Sequence, residues 1–319
     1  MSAMPLISIV ICTLRRPKHL LQALDACLSL RSPGACEVEI LVVDNSLEAS
    51  ARDLVLGAAA NAPIPIRFVH EPRTSIAHAR NTGVAASHAP LIAFIDDDMR
   101  PSSAWLVQVM RGMELEKADA LIGAIEPVPE EEGQEADPRL LDMYRRDLRL
   151  PEGSSLPVRK NGYISGVGTG NSVLRRATCV DGVECFDPAF GRTGGEDTDF
   201  FQRLGRRRLK IVWSAQALAY EIVSPRRATL DYAIYSAFHG SQNFARVTIK
   251  NSRHRLRTRM ALAAVGAAQG SARLCQYALL RLVRSDEASY AQLSAAAALG
   301  KIPSVSYTHL RAHETGRNL

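Results

Sequence analysis

The segment Leu91-Ile92-Ala93-Phe94-Ile95-Asp96-Asp97-Asp98 decides the fold. Five apolar residues followed by carboxylates read as a buried strand that carries acidic side chains to the sheet edge where ligands of open α/β sheets bind. Three successive like charges repel by about 1 kcal/mol per close pair even in high dielectric, so a cation between the first and last is a natural guest. Such oxygen ligands suit Mg or Mn. A solvated acidic turn capping the next helix is the simpler alternative.

Working outward, apolar runs at Leu6 to Ile11, Val38 to Val43 and Ile66 to Val69 predict further strands. Between them, Leu20, Leu21, Leu24, Cys27 and Leu28 recur at helical spacing after Pro17, Asp53 to Ala60 reads as a helix, and Ser75 to Ser87 leads as a helix into the acidic strand. Four alternations of strand and helix imply right-handed βαβ units and an α/β fold, with a mainly parallel sheet and helices on both faces. A helix from Ser102 to about Lys117 and a strand from Ala120 to Ile125 continue the pattern. Residues 127 to 160, rich in Pro, Glu, Arg and Gly, interrupt it and predict a flexible excursion of the kind used as a lid, with one short helix around Leu140 to Arg146. The pattern resumes at Gly166 to Leu174, with a helix at Glu196 to Arg206 and a strand at Lys210 to Ser214.

Composition bounds the rest. With 319 residues, 46% hydrophobic and 23% charged, the chain is globular and large enough for one domain plus an accessory piece. The formal net charge of +6 suits phosphorylated ligands, a polyanion or an anionic membrane surface, and equally an ordinary globular protein. Six cysteines without a CxxC pair fit a reducing cytoplasm, and nothing before the first strand reads as a secretion signal.

Five ordered segments carry a resemblance. Ser8-Ile9-Val10-Ile11-Cys12-Thr13, Leu41-Val42-Val43-Asp44-Asn45-Ser46, Ala79-Arg80-Asn81-Thr82-Gly83, Phe94-Ile95-Asp96-Asp97-Asp98 and Gly194-Gly195-Glu196-Asp197-Thr198-Asp199-Phe200 resemble the family 2 inverting glycosyltransferases of GT-A fold, over roughly residues 5 to 247. The resemblance implies a Rossmann-like GT-A catalytic domain over 1–247, followed by a helical extension over 248–303. It also implies a nucleotide-diphosphate sugar donor, a saccharide or lipid-linked acceptor, and a role in cell-surface polysaccharide or glycolipid synthesis.

Each matching residue also has a local rationale. Asp44, at the carboxyl end of its strand, can accept hydrogen bonds from a uracil-type imide or a ribose hydroxyl, or can close an Asx turn with Asn45 and Ser46. The resemblance places Thr13 beside the nucleotide and has Arg80 and Asn81 brace its side of the cleft; a surface Arg in a helix with a packing Gly is the rival reading. Arg15, Arg16 and Lys18 are candidates to face diphosphate, with solvated charge the plainer reading for most of them. Asp98 is expected as the direct metal ligand and Asp96 as the ribose or second metal contact, with Asp97 beside them. By resemblance Asp197 is the base that takes the acceptor proton, with Glu196 the alternative; acids in a first helical turn also serve as caps. Asn171, in Gly166-Val167-Gly168-Thr169-Gly170-Asn171-Ser172, can hydrogen-bond a hydroxyl or phosphate at the segment that borders the sugars in such enzymes. Glu221 stands where many relatives have a metal-binding His, and the polymerase signature Gln-x-x-Arg-Trp is missing, so transfer of one sugar per encounter is expected.

Basic residues from Arg253 to Arg259 precede an Ala- and Leu-rich helical stretch, Met260 to Val283, that is too polar for a lipid span. It suits packing on a neighbour as well as peripheral contact with the inner face of a membrane. Residues 304–319 resemble a translated sequencing adapter and are set aside as a non-native tail. Two other classes fit the sequence less well. A sugar-phosphate nucleotidyltransferase would open on a glycine-rich loop that Thr13-Leu14-Arg15-Arg16 lacks. A basic nucleic-acid-binding protein would use the arginines at 206–208 and 253–259, and is disfavoured by the acid clusters, so no nucleic acid partner is expected. Donor sugar, nucleotide base and oligomeric state carry no signal.

Overall fold

The structure, a computed structural model, describes residues 6–32, 37–131, 137–180, 182, 185–191, 193–283 and 287–302. The expected tail at 304–319 and Cys36 lie outside the described residues. The chain divides into two compact units between Thr229 and Leu230. This falls upstream of the expected boundary at residue 247, because one helix runs unbroken from Leu230 to Lys250.

The first unit is built on β1 (Ile7–Thr13), α1 (Pro17–Leu28), β2 (Val38–Asp44), α2 (Arg52–Ala59), β3 (Ile66–His70), α3 (Ile76–Ala86) and β4 (Leu91–Phe94). It continues with β5 (Met99–Pro101), α4 (Trp105–Leu115), β6 (Ala120–Pro129), α5 (Pro138–Asp142), β7 (Ser172–Arg175), α6 (Arg176–Cys179), α7 (Glu196–Arg206) and β8 (Ile211–Val223). The eight strands form one sheet in the order β3-β2-β1-β4-β7-β6-β8-β5. As the alternating sequence predicts, β3, β2, β1 and β4 are parallel. The other half is mixed: β7 runs antiparallel to both β4 and β6, and β5 antiparallel to β8. A short strand entered from an irregular loop can pair in either direction, so strand–helix periodicity carries no information about β5 and β7.

Period-two alternation sends the strand side chains into two helical layers. Ile7, Ile9 and Ile11 of β1 pack with Leu20, Leu24 and Cys27 of α1 and with Trp105 and Val109 of α4. Val10, with Leu41 and Val43 of β2, faces Ala77, Ala79 and Val84 of α3 and Phe200, Phe201 and Leu204 of α7. At 25–30 cal/mol per Å² of buried apolar surface, each fully buried Leu, Ile or Phe contributes about 1.5–3 kcal/mol, so both layers hold the strand ends firmly. Parallel pairing brings Thr13 opposite Asp44 in register and aligns Val10 with Phe94. The carboxyl ends of β1, β2 and β4 therefore share one edge.

The expected flexible excursion, 127–160, is tethered over 137–160. Ile125 and Arg146 exchange backbone hydrogen bonds, and Leu156 N–H donates to Ile211 O at 2.8 Å. Leu148 and Leu150 pack against the core. The Arg-rich composition that suggested a lid instead supplies the tethers described below.

The second unit consists of α8 (Leu230–Lys250), α9 (Arg255–Leu282) and α10 (Ala288–Leu299), with α10 packed against both others. Ala291, Ala295 and Ala298 of α10 are buried. Among the described residues no helix is long and apolar enough to cross a membrane.

Candidate active site

The acidic triplet follows directly after β4, and Asp97 and Asp98 share Arg16 while Asp96 lies beside Arg80. Asp97 is buried and held by Thr13 Oγ1, which donates to its Oδ2 at 2.8 Å, and by Arg16, which donates to its Oδ1 at 3.0 Å. Burial pushes the Asp97 carboxyl up, opposed by Arg16. Asp98 Oδ2 accepts from Arg16 at 3.2 Å and from Arg227 at 2.9 Å. Asp96 faces the cleft, with Arg80 Nη2 3.8 Å from its Oδ1. Desolvation, together with Asp98, Asp97 and Asp197, pushes Asp96 up to about 6 against the pull of Arg80.

Arg80 joins the two acidic segments. Lying on α3 with its side chain only 9% exposed, it is paired to Glu196 Oε1 at the start of α7, and Glu196 is itself 6% exposed. Burial raises the Glu196 carboxyl, with Arg80 opposing. Its Oε2 is buried and makes no hydrogen bond among the described residues. The neighbouring Asp197 is half-buried; its Oδ1 accepts from the Thr198 N–H at 2.6 Å, while its Oδ2 makes no hydrogen bond among the described residues. Gly194 and Gly195, at φ 79° and 100°, make the left-handed turn into α7 that a side chain would strain.

The segment 166–171 forms the rim between these acids. A methyl group placed on Gly170 would stand 2.5 Å from Asp96 Oδ2, and one placed on Gly168 would stand 3.3 Å from Asp197 Oδ2. Alternate Cα atoms are at most about 7 Å apart and each Cα–Cβ bond adds about 1.5 Å, so the Asp96 and Asp197 oxygens lie within about 16 Å of each other across this rim. The two acidic segments, a hundred residues apart in the chain, thus face one cleft. Arg146 pins the rim in place. It donates to the carbonyls of Gly123 at 2.9 Å, Gly168 at 3.3 Å and Asn171 at 3.0 Å, and to that of Gly170. Burial lowers its guanidinium to about 10, opposed by Asp96, Glu221 and Asp197.

Two residues expected at the ligand are engaged inside the protein. Asn171, 1% exposed, donates to Ala124 O at 2.6 Å and Ala217 O at 2.8 Å and accepts from Trp105 Nε1 at 2.7 Å. Both amide hydrogens are committed, leaving no donor for a hydroxyl or phosphate. Asn81 accepts from the Phe186 N–H at 2.9 Å and donates to Phe186 O at 2.7 Å, so its side chain ties α3 to the segment before α7. Asp44 is fully buried and accepts from the N–H groups of Ser46 at 2.8 Å and Ala51 at 2.6 Å. That is the Asx-turn arrangement, with one lone pair per oxygen remaining.

A second cluster borders Asp98. Glu221 of β8 stands opposite Met99 in register and accepts from Arg227 Nη2 at 2.5 Å. Burial pushes Glu221 up to about 7; Arg227 opposes this, and Asp98 and Asp96 add to it. Tyr144 Oη donates to Arg227 O at 2.7 Å, and its ring lies 4.6 Å from the Arg227 guanidinium. Neither Arg146, Tyr144 nor Arg227 stands out in the sequence, because single basic or aromatic residues in a loop carry no signature until the fold shows what they face. Glu221 alone is flagged there, by the resemblance, as standing where many relatives have a metal-binding His.

Among the described residues no three His, Cys, Asp or Glu side chains gather closely enough to hold a metal by themselves. Mg²⁺ and similar hard cations commonly bind through one or two carboxylates with the remaining positions filled by water and substrate phosphate. Asp96, with its side chain 37% exposed, is the member of the triplet most open to such a cation, whereas Asp98 Oδ2 is held by Arg16 and Arg227.

The sequence profile of glycosyl transferase family 2 matches residues 8–178. The succinoglycan biosynthesis protein ExoM of Rhizobium meliloti is 33% identical over 264 residues, which cover 83% of this chain and 82% of that protein. The chain belongs to glycosyl transferase family 2. This family 2 member is a glycosyltransferase, and the nucleotidyltransferase and nucleic-acid-binding readings are set aside. Its fold is GT-A. The mannosyltransferase PcManGT from Pyrobaculum calidifontis, in complex with GDP-Man and Mn2+, superposes with a TM-score of 0.60 at 18% identity, covering 94% of this chain and 88% of that one. Residues 1–349 of S. aureus TarS in complex with UDP superpose with a TM-score of 0.55 at 14% identity, covering 98% and 92%.

Proposed function

We propose that this glycosyltransferase moves a sugar from a nucleotide-diphosphate donor to a hydroxyl of a saccharide or lipid-linked acceptor, with inversion at the anomeric carbon, during assembly of a cell-surface polysaccharide. The observation that carries the reading is the unpartnered Oδ2 of Asp197 on the glycine rim opposite Asp96. Asp197 Oδ2 accepts the proton of the acceptor hydroxyl while that oxygen attacks the anomeric carbon. The bond from that carbon to the β-phosphate oxygen breaks, and its electron pair leaves with the nucleoside diphosphate. Asp197 rather than Glu196 is the base, since Glu196 is committed to Arg80 inside the protein.

Thr13, Asp44 and Asp97 line the nucleotide side, with Asp44 using its remaining lone pairs for the base or ribose. Arg80 orients Glu196 and Asp96 around the donor sugar, and Asn81 keeps α3 and α7 in step for it. Asp98 and Asp96 would hold Mg or Mn, whose charge offsets the negative charge that develops on the departing diphosphate. Polysaccharide assembly is supported by the name of the ExoM relative, and a nucleotide-sugar donor with a divalent cation by the ligands of the TarS and mannosyltransferase structures. The reaction belongs to the cytoplasm, at the inner face of the membrane where a lipid-linked acceptor is presented.

The test is a panel of UDP-, GDP- and dTDP-sugars turned over with Mg, with Mn, or with chelator, and the product anomer read by proton NMR. Turnover of one nucleotide class, dependent on metal and giving the inverted anomer, is expected. A retained anomer or turnover indifferent to chelator would contradict the mechanism.

A further inference from the structure

Helix α9 is amphipathic in the opposite sense to an ordinary helix of a globular protein. It runs 28 residues from Arg255 to Leu282, about 42 Å at 1.5 Å per residue. Leu256, Met260, Leu274, Leu279 and Leu282 are 71%, 65%, 45%, 64% and 80% exposed. At 3.6 residues per turn these five fall within an arc of about 140°. The buried residues of the helix lie about 40–80° outside that arc. They are Gly266 and Gly270, where an added methyl would stand 2.9 Å from Ala298 O and 2.6 Å from Leu299 Cδ2. Glycine thus lets α10 approach closely, Leu262 and Leu280 are half-buried, and the five apolar side chains named above point to solvent.

Charge gives the occupant of that face. Helix α9 holds five arginines and no Asp or Glu. Arg255, Arg259, Arg273 and Arg281, all exposed, lie within an arc of about 80° that flanks the leucines, while the exposed Arg257 lies inside the leucine arc, where its long stem can carry the charge out to the headgroups. A helix with its side chains is about 10–12 Å across, close to the Debye length of about 10 Å at 0.1 M salt, so all four arginines still feel an anionic surface under the leucine face. A second protein copy would bring five more arginines against these five, whereas an anionic lipid surface offers both an apolar layer and negative charge.

We propose that α9 lies flat on an anionic membrane surface, with Leu256, Met260, Leu274, Leu279 and Leu282 in the headgroup–acyl boundary. This deepens the reading of a lipid-linked acceptor by supplying a surface that presents it, but the contact itself stands on the helix.

The test uses the full chain with vesicles of phosphatidylcholine alone and of phosphatidylcholine mixed with phosphatidylglycerol, read by co-sedimentation. Binding to the mixed vesicles, weakened by salt, is expected, with little binding to the neutral ones. Replacing three arginines (Arg255→Gln, Arg259→Gln, Arg281→Gln) should weaken binding about a hundredfold at low salt, from about 1 kcal/mol per basic residue near the surface. Leu279→Glu with Leu282→Glu should abolish it while circular dichroism is unchanged, since both side chains are exposed. A Leu282→Trp variant should show a blue-shifted emission on adding mixed vesicles. The proposal is overturned by protein that stays in the supernatant with both vesicles, by a Trp emission that does not move, or by leucine variants that dissociate a dimer and leave vesicle binding intact. Nucleotide-sugar turnover measured on the same samples separates the two readings: turnover without vesicle binding removes only the docking surface.

Discussion

Removing the Arg80 guanidinium tests how the two acidic segments are held together. Both Arg80 and Glu196 are more than nine-tenths buried, and Arg80 also faces Asp96 at 3.8 Å and lies 5.7 Å from the Phe186 ring. Breaking a buried pair by deleting one partner typically costs 3–5 kcal/mol, because the other charge stays desolvated. The Glu196 carboxyl, already raised by burial, can take up a proton and recover part of this. Arg80→Met also keeps much of the apolar stem. The expected loss is therefore about 3 kcal/mol, roughly a hundredfold in the folding equilibrium. Glu196→Gln leaves Arg80 with Asp96 and should cost about half of that. Arg80→Met with Glu196→Leu removes both charges, so the pair should be much less damaging than the sum of the single changes, with a coupling of about 2 kcal/mol. Urea unfolding followed by tryptophan fluorescence is the assay. Trp105 and Trp213 are the only tryptophans in the sequence and both are buried in the first unit, so the signal reports that unit alone. Single variants that lose less than about 1 kcal/mol, or a double variant as unstable as the sum, would refute the claim that this pair joins α3 to α7.

Other consequences are more local. Asn171→Ala should destabilise by about 3 kcal/mol or more in the same assay, since it strips partners from Trp105 Nε1 and two buried carbonyls; unchanged stability with donor binding lost would show instead that Asn171 serves a ligand. Gly170→Ala should stay folded by circular dichroism yet lose most of its turnover, because the new methyl would displace the Asp96 carboxylate; full turnover would dissociate that oxygen from the reaction. Glu71, held by Arg73 and Thr82, has its carboxyl lowered from 4.5 to about 2. A lowered carboxyl contributes stability above the unfolded value, and that contribution is lost as pH falls towards the folded value. Glu71→Gln should thus be less stable than wild type near pH 7, with the difference shrinking between pH 4.5 and about 2, as measured by urea unfolding across that range; a constant difference would contradict it.

How far the sequence could be read depended on whether a feature was local. The run into Asp96-Asp97-Asp98 and the four strand–helix alternations are encoded in contiguous residues, so β1 to β4 and the shared edge follow from periodicity. The direction of β7 and β5 does not, because it depends on which strands they meet. At the site, acids next to glycines are recognisable as chemistry, while amides are ambiguous. Asn171 and Asn81 offer the same donors to a ligand or to a carbonyl, and only their burial against Ala124, Ala217 and Phe186 decides which. Arg146 and Arg227 were illegible for the opposite reason. Their partners are backbone carbonyls at 123 and 168–171, and the carboxylates of Asp98 and Glu221, brought near only by folding.

The central claim is that one cleft holds donor and base on opposite acids, and substituting each acid isosterically tests it most directly. Titration of the metal–donor complex into Asp98→Asn and Asp197→Asn, with turnover measured on the same samples, separates the two roles. The account predicts that Asp98→Asn loses donor binding and with it transfer, while Asp197→Asn binds donor like wild type and transfers nothing. Wild-type turnover in either variant, or lost donor binding in Asp197→Asn alone, would contradict it.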